Sequence, residues 1–338
     1  MAWWARLLAW LFLCGLGQPW TAAMAAELPP ATVAALDRAV AEQMARQGLP
    51  GVAVAIRIPA RGDYVVARGR ANLVTGRARA VADPFRIASI TKTFVATAIL
   101  QLADAGRLRV SDKLARWYPG FPNAEAITVD DLLRMRSGIA DSANHAFLAH
   151  YFAHPFIGLD DEAMVRRAAR RGAEFQPPGE RTVYTNVNYA LLARIVEKTT
   201  GSTIGEVIER NILRPLGMRA TSYPTDFELP GGLHGYSRLT DGSSRDLTRL
   251  NPAPAGGAGA MISSLDDLGR YARALCQGGL LRPATQQARL AAEPMAGLPP
   301  FVRYGQGLIR FGRFCGHNGT IFGFSSELFY LPRSEERR

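Results

Sequence analysis

A chain of 338 residues, 48% hydrophobic and 20% charged, can bury a large core, and its scattered glycines and prolines exclude a low-complexity polymer. The net charge of +11 does not make it a nucleic-acid binder, because its densest basic group, Arg166, Arg167, Arg170 and Arg171, has no interleaved aromatics. That charge suits weak contact with an anionic membrane or cell wall, but a merely solvated helix face is the favoured account.

Residues 1–26 read as a secretory signal peptide: Arg6 is the only charge, residues 7–13 form a short apolar run, and Ala23-Met24-Ala25 supplies the small residues of a cleavage site. The run is too short for a membrane span, and Cys14 follows Leu13 rather than a small residue, which argues against a lipid anchor. The expected location is the periplasm or the medium. Residues 27–338 are expected to form one domain, with 27–88 and 300–338 supplying a sheet and 89–299 mainly helices.

Val33, Leu36, Val40 and Met44 recur with helical spacing until Gly48. Residues 51–58 alternate as a strand, and a turn at Arg61-Gly62-Asp63 returns the chain as a second strand over 64–70. A helix opens near Ser89 with the apolar stripe Ile90, Phe94, Val95, Ala98, Ile99 and Leu102, and Gly106 closes it. Further helices are predicted over 187–200, stopped by Gly201, and over 264–275, capped by Ser264 with Asp267 three residues on. The tail predicts strands over 304–311, 313–318 and 324–331. Strands at both ends around a helical middle predict an α+β fold: an antiparallel sheet from the two terminal segments, flanked by helices, with a large helical insertion. Cys276 and Cys315 read as two buried thiols. No Cys/His cluster has metal-ligand spacing, so neither metal nor organic cofactor is expected.

Chemistry concentrates at Ser89-Ile90-Thr91-Lys92, where helical spacing places a hydroxyl and an amine on one face. A serine is a poor nucleophile until a neighbour takes its proton. A buried lysine can do so, whereas arginine does not deprotonate. Only three of the 40 basic residues are lysine, and one of them stands here. Tyr184-Thr185-Asn186 follows Pro177-Pro178-Gly179 and precedes a helix: a tyrosine beside a cationic lysine could serve as general base, and Asn186 could hold Lys92 or a substrate amide. His317-Asn318-Gly319-Thr320 ends a strand, where a glycine lets a ligand approach the backbone and a strand N–H can donate to an oxyanion. The Ser89 N–H at a helix N-terminus would be the second donor.

In this order the three elements resemble the serine beta-lactamase and penicillin-binding superfamily, in its branch of class C beta-lactamases, D-alanyl-D-alanine carboxypeptidases, D-amino-acid peptidases and related esterases. The likeness extends through Leu132-Leu133-Arg134-Met135-Arg136-Ser137-Gly138, Ala255-Gly256-Gly257, Ser263-Ser264-Leu265-Asp266-Asp267-Leu268 and Tyr304-Gly305-Gln306-Gly307. It implies Ser89 as acylated nucleophile, Lys92 as proton partner, Tyr184 as base and then acid, and Asn186 as a substrate and lysine contact. His317 would face substrate where many beta-lactamases have a lysine, and the N–H groups of Ser89 and Thr320, beside Gly319, would form the oxyanion hole. The implied substrates are D-Ala-D-Ala-type peptides, small amides or esters, some derived from peptidoglycan. The alternatives are a penicillin-binding sensor that acylates without turnover and an inactive remnant. The remnant reading arises because residues 332–338 look like a hairpin turn with no returning strand, so the sheet is expected to lack its last strand and closing helix.

Overall fold

The computed structural model describes residues 27–224, 226–239 and 241–332; the signal-peptide reading and most of the C-terminal turn lie outside them. Helix α1 (Pro30–Gln47) opens with proline at its first position, and Gly48 closes it in the left-handed conformation. Its expected apolar face is half-buried. Strands β1 (Gly51–Ile58) and β2 (Gly62–Gly69) form the expected hairpin, paired from Gly51–Gly69 to Ile58–Gly62. Strand β3 (Phe85–Arg86) leads into the Ser89 segment.

Helix α2 (Thr91–Asp104) is the centre of the molecule. Ile90, Phe94, Val95, Ala98 and Ile99 are fully buried there, and Phe94 stacks on Tyr271 with ring centroids 3.7 Å apart. Burying one such aromatic side chain contributes about 2–3 kcal/mol. The short helix α3 (Val129–Leu133) starts at a reciprocal cap between Thr128 and Asp131. Beyond it come α4 (His145–Ala153), α5 (Asp161–Arg171) and α6 (Val187–Thr200), the last of which packs on α2 and ends at Gly201 as its sequence indicates. Then follow α7 (Ile204–Ile208), α8 (Arg214–Leu216), the ribbon of β4 (Tyr236–Arg238) and β5 (Ser244–Asp246), and α9 (Gly256–Gly259). Strand β6 (Ile262–Ser263) pairs with β3, and α10 (Leu265–Gln277) starts at Ser264, whose hydroxyl accepts from the Asp267 N–H. Helix α11 (Pro283–Leu290) completes the helical part.

The chain closes with β7 (Glu293–Pro294), β8 (Val302–Tyr304), β9 (Ile309–Phe311), β10 (Phe314–Ile321) and β11 (Phe324–Tyr330), an antiparallel sheet in the order β11-β10-β9-β8-β7. The α+β architecture is as expected, with two corrections. The single strand expected over 304–311 is two, because Gly307 turns with φ 79° and lets the chain touch α2: a Cβ there would lie 2.2 Å from that of Ala96. Among the described residues the β1–β2 hairpin does not pair with the five-stranded sheet. Helix α10 contacts both, and Arg57 of β1 pairs with Asp266 on it.

Cys276 and Cys315 are a disulfide rather than two thiols, since the fold lays the end of α10 on β10. Export to an oxidising compartment would preserve that bond. It closes a loop with a sequence separation of 39, so reduction is expected to cost about 4 kcal/mol. Thermal melts with and without reductant check this, with a fall of about 5 °C expected.

Candidate active site

Ser89 sits in a tight turn, Ala88–Ile90, that runs straight into α2. The turn is strained: Ala88 has φ 47°, a left-handed conformation that costs a non-glycine residue about 1–2 kcal/mol. Neighbouring groups hold it there. The Ile87 N–H donates to Met261 O at 3.0 Å, the Met261 N–H to Thr91 Oγ1 at 3.1 Å, and the Ser326 hydroxyl of β11 to Ile87 O at 3.0 Å.

One turn on, the fully buried Lys92 amine lies 3.0 Å from Ser89 Oγ, 2.9 Å from Asn186 Oδ1 and 2.7 Å from the Ala258 carbonyl oxygen. Burial lowers its pKa to about 7 against the raising influence of the Asp141 charge, so an uncharged fraction exists at neutral pH. The carbonyl is delivered by α9, held through its Gly257 N–H by Asp161 Oδ2 at 3.0 Å. Gly257 must be glycine, because a Cβ would stand 2.5 Å from Tyr189 O on α6.

Tyr184 places its ring 4.9 Å from the Lys92 nitrogen, with its hydroxyl close to the Ser89 side chain. Desolvation pushes this phenol far above its ordinary range, so it is held protonated. The expectation that Lys92 favours a phenolate is therefore corrected: burial keeps the phenol protonated, and Tyr184 stands ready as a proton donor. The Met135-Arg136 segment fixes its loop. Met135 O accepts from the Val183 N–H at 2.8 Å, and Arg136 Nη2 donates to Gly179 O at 2.6 Å.

His317 is buried on β10 and does not line the cavity above Ser89, contrary to the expected substrate contact. Its Nδ1 lies 2.5 Å from the acceptor-only Asn318 carbonyl and therefore carries the proton, leaving Nε2 to accept from the Tyr304 hydroxyl at 3.2 Å. Desolvation and the nearby Lys92 amine lower its pKa to about 3, so the imidazole is neutral. Gly319 also differs from expectation. The nucleophile turn, rather than a ligand, crowds it: a Cβ there would lie 2.4 Å from Ile87 O and 2.8 Å from Ser89 N.

Ser89, Asn186 and Thr320 line one cavity of about 310 Å³. Phe147, Leu148, Tyr151, Ile321 and Phe322 make its walls largely apolar, and none of its lining side chains among the described residues is charged. The wall built by Phe147 and Tyr151 comes from helix α4, which presents them one turn apart. The sequence alone gives three further participants no role. Asp141 accepts from Asn186 Nδ2 at 2.9 Å, Ala258 offers its carbonyl, and Tyr304 bonds His317.

The Beta-lactamase family model matches residues 36–335. Penicillin-binding protein 4* of Bacillus subtilis is 27% identical over 79% of this chain, and penicillin-binding protein 4 of Amycolatopsis lactamdurans is 28% identical over 70%. The chain spans 64% and 62% of the length of these two curated relatives. Among solved structures, a D-stereospecific amidohydrolase from Streptomyces sp. is 33% identical with a TM-score of 0.79, covering 89% of this chain and 90% of that one. D-amino acid amidase from Ochrobactrum anthropi SV3 is 25% identical with a TM-score of 0.74, covering 85% of each chain. The match across most of its length and the superposition on a hydrolase one-third identical show that this chain belongs to the beta-lactamase family of serine hydrolases, related to penicillin-binding proteins and D-amino acid amidases.

Proposed function

We propose that this protein cleaves small amides and esters that carry an uncharged, apolar acyl group, through an acyl-enzyme on Ser89. The observation that carries this reading is the buried Lys92 amine against Ser89 Oγ beneath an uncharged apolar cavity. Uncharged Lys92 takes the Ser89 proton as Oγ attacks the carbonyl carbon. The N–H groups of Ser89 and Thr320 receive the oxyanion, favoured by the N-terminus of α2. The Tyr184 hydroxyl gives its proton to the leaving nitrogen or oxygen and regains one from Lys92. A water then repeats the sequence on the acyl-enzyme. Asn186 holds the amine in place and can bond a substrate amide, while His317 braces the strand from behind.

A neutral, buried His317 supplies no fixed cation for a carboxylate beside the leaving group. Amides and esters therefore fit better than D-Ala-D-Ala peptides or beta-lactams, and the two amide-cleaving neighbours point the same way. The kinship with penicillin-binding proteins favours a second reading, a site that acylates once and holds its adduct. Location in the periplasm or medium, near anionic envelope polymers, belongs to the same proposal and rests on the apolar start and the net charge.

A panel of N-acetylated aromatic D-amino-acid amides, p-nitrophenyl esters, a D-Ala-D-Ala peptide and nitrocefin tests both readings. The amides and esters are expected to turn over, with kcat/KM rising on an acid limb near pH 7 as Lys92 loses its proton. Preference for the carboxylate-bearing peptide would contradict the uncharged-substrate reading. Release of one equivalent followed by arrest would establish the trap.

A further inference from the structure

We propose that Asp141 is a positioning residue that sets the orientation of the Asn186 amide and thereby aims the lone pair of Lys92 at Ser89. The inference rests on Lys92 as the base of Ser89 and adds what makes it one. An uncharged amine has two N–H donors and one lone pair. Lys92 has three partners, and which one receives the lone pair decides whether it can act as a base. The Ala258 carbonyl only accepts, so it takes one N–H. Asn186 is ambiguous by itself: its oxygen would take the second N–H, but its NH2 group would occupy the lone pair and leave an N–H facing Ser89. In that second arrangement Lys92 donates to the nucleophile instead of activating it.

Asp141 removes the ambiguity. Its Oδ1 accepts the Ala143 N–H at 3.0 Å, and its Oδ2 accepts from Asn186 Nδ2 at 2.9 Å. A carboxylate cannot donate, so the NH2 group of Asn186 must face it and the oxygen must face Lys92. With both other partners accepting, the lone pair falls on the Ser89 hydroxyl. Both Asp141 oxygens are already engaged, which favours positioning over capture of a substrate cation. The other titratable groups around the amine are Tyr184 before α6, Tyr189 on α6 and His317 on β10; α2 and α9 bring none. Asp141 is thus the negative charge acting on Lys92.

The substitution Asp141→Asn separates these roles. With its oxygen retained by the Ala143 N–H, the new amide turns NH2 toward Asn186 and demands that Asn186 flip. The probe is a fluorophosphonate, whose phosphorus bonds Ser89 Oγ as fluoride leaves and Lys92 takes the proton, so the readout does not depend on the natural substrate. Labelling rates from pH 5 to 9 are expected to lose at least about tenfold on the plateau. The acid limb is expected to move down by about one pH unit, because removing a nearby negative charge makes Lys92 easier to deprotonate. Asp141→Glu, which keeps the carboxylate, is expected to leave the limb in place and recover most of the rate. Should Asp141→Asn not fold, Asp141→Ala carries the same expectation for limb and plateau, because it removes both the charge and the acceptor that orients Asn186. An unchanged profile, or an equal loss at every pH with the limb fixed, overturns the positioning role. So does a variant that only raises KM for an amide substrate. Absence of labelling in the wild type at every pH overturns the Ser89 reading itself, and this inference with it.

Discussion

Lys92→Arg is expected to slow acylation of Ser89 by about 10³-fold or more, the range in which a general base contributes. The substitution keeps a positive charge but removes the lone pair, because a guanidinium does not deprotonate in proteins. The site makes this severe. The amine is fully buried and touches Ser89, Asn186 and Ala258 within 3.0 Å, a packing that a longer, planar guanidinium does not fit. A role limited to charge would let arginine retain much of the rate. Stopped-flow labelling with a fluorophosphonate, beside a thermal melt that confirms folding, distinguishes the two.

Gly319→Val is expected to lower the same rate by about 10²-fold, the order associated with a displacement near 1 Å in an active site. The new Cβ would fall 2.4 Å from Ile87 O, 2.8 Å from Ser89 N and 3.0 Å from Ala88 Cβ. The first two are backbone atoms of a turn already strained at Ala88, so no flexible side chain can give way. Either β10 or the turn must move, which changes the spacing between the Ser89 and Thr320 N–H groups. Gly120→Ala is the control: nothing lies within 4 Å of its added carbon, and its labelling rate should equal that of the wild type.

The parts of this site legible in sequence are those carried by local periodicity. Ser89 and Lys92 are one turn apart, so their juxtaposition follows from helical geometry alone, and the stripe around them marks α2 as the core. Helices closed by Gly48 and Gly201 declare their own ends. Tyr184 and Asn186 needed the family likeness, because nothing local ties residue 184 to residue 92.

What remained hidden depends on tertiary distance or on backbone atoms. Asp141 reaches Asn186 across 45 residues, and no spacing rule joins a loop aspartate to an asparagine there. The Ala258 carbonyl has no side-chain signature at all. The thiols of Cys276 and Cys315 meet only after α10 docks on β10. Residues 145–153 did carry a usable signal: Asn144 caps the helix by accepting from the Phe147 N–H, with Phe147 and Tyr151 at helical spacing. Reading 304–311 as one strand failed because the position of Gly307 is set by α2, not by alternation. The protonation states of Tyr184 and His317 follow from burial, which a sequence does not display.

The most direct test of a Ser89 nucleophile activated by Lys92 is intact-mass and peptide-level mass spectrometry of the protein after fluorophosphonate treatment at pH 8. The expected result is one adduct per chain, on the peptide containing Ser89, absent from Ser89→Ala and nearly absent from Lys92→Arg. An adduct on another residue, or equal modification of the wild type and Ser89→Ala, would contradict it.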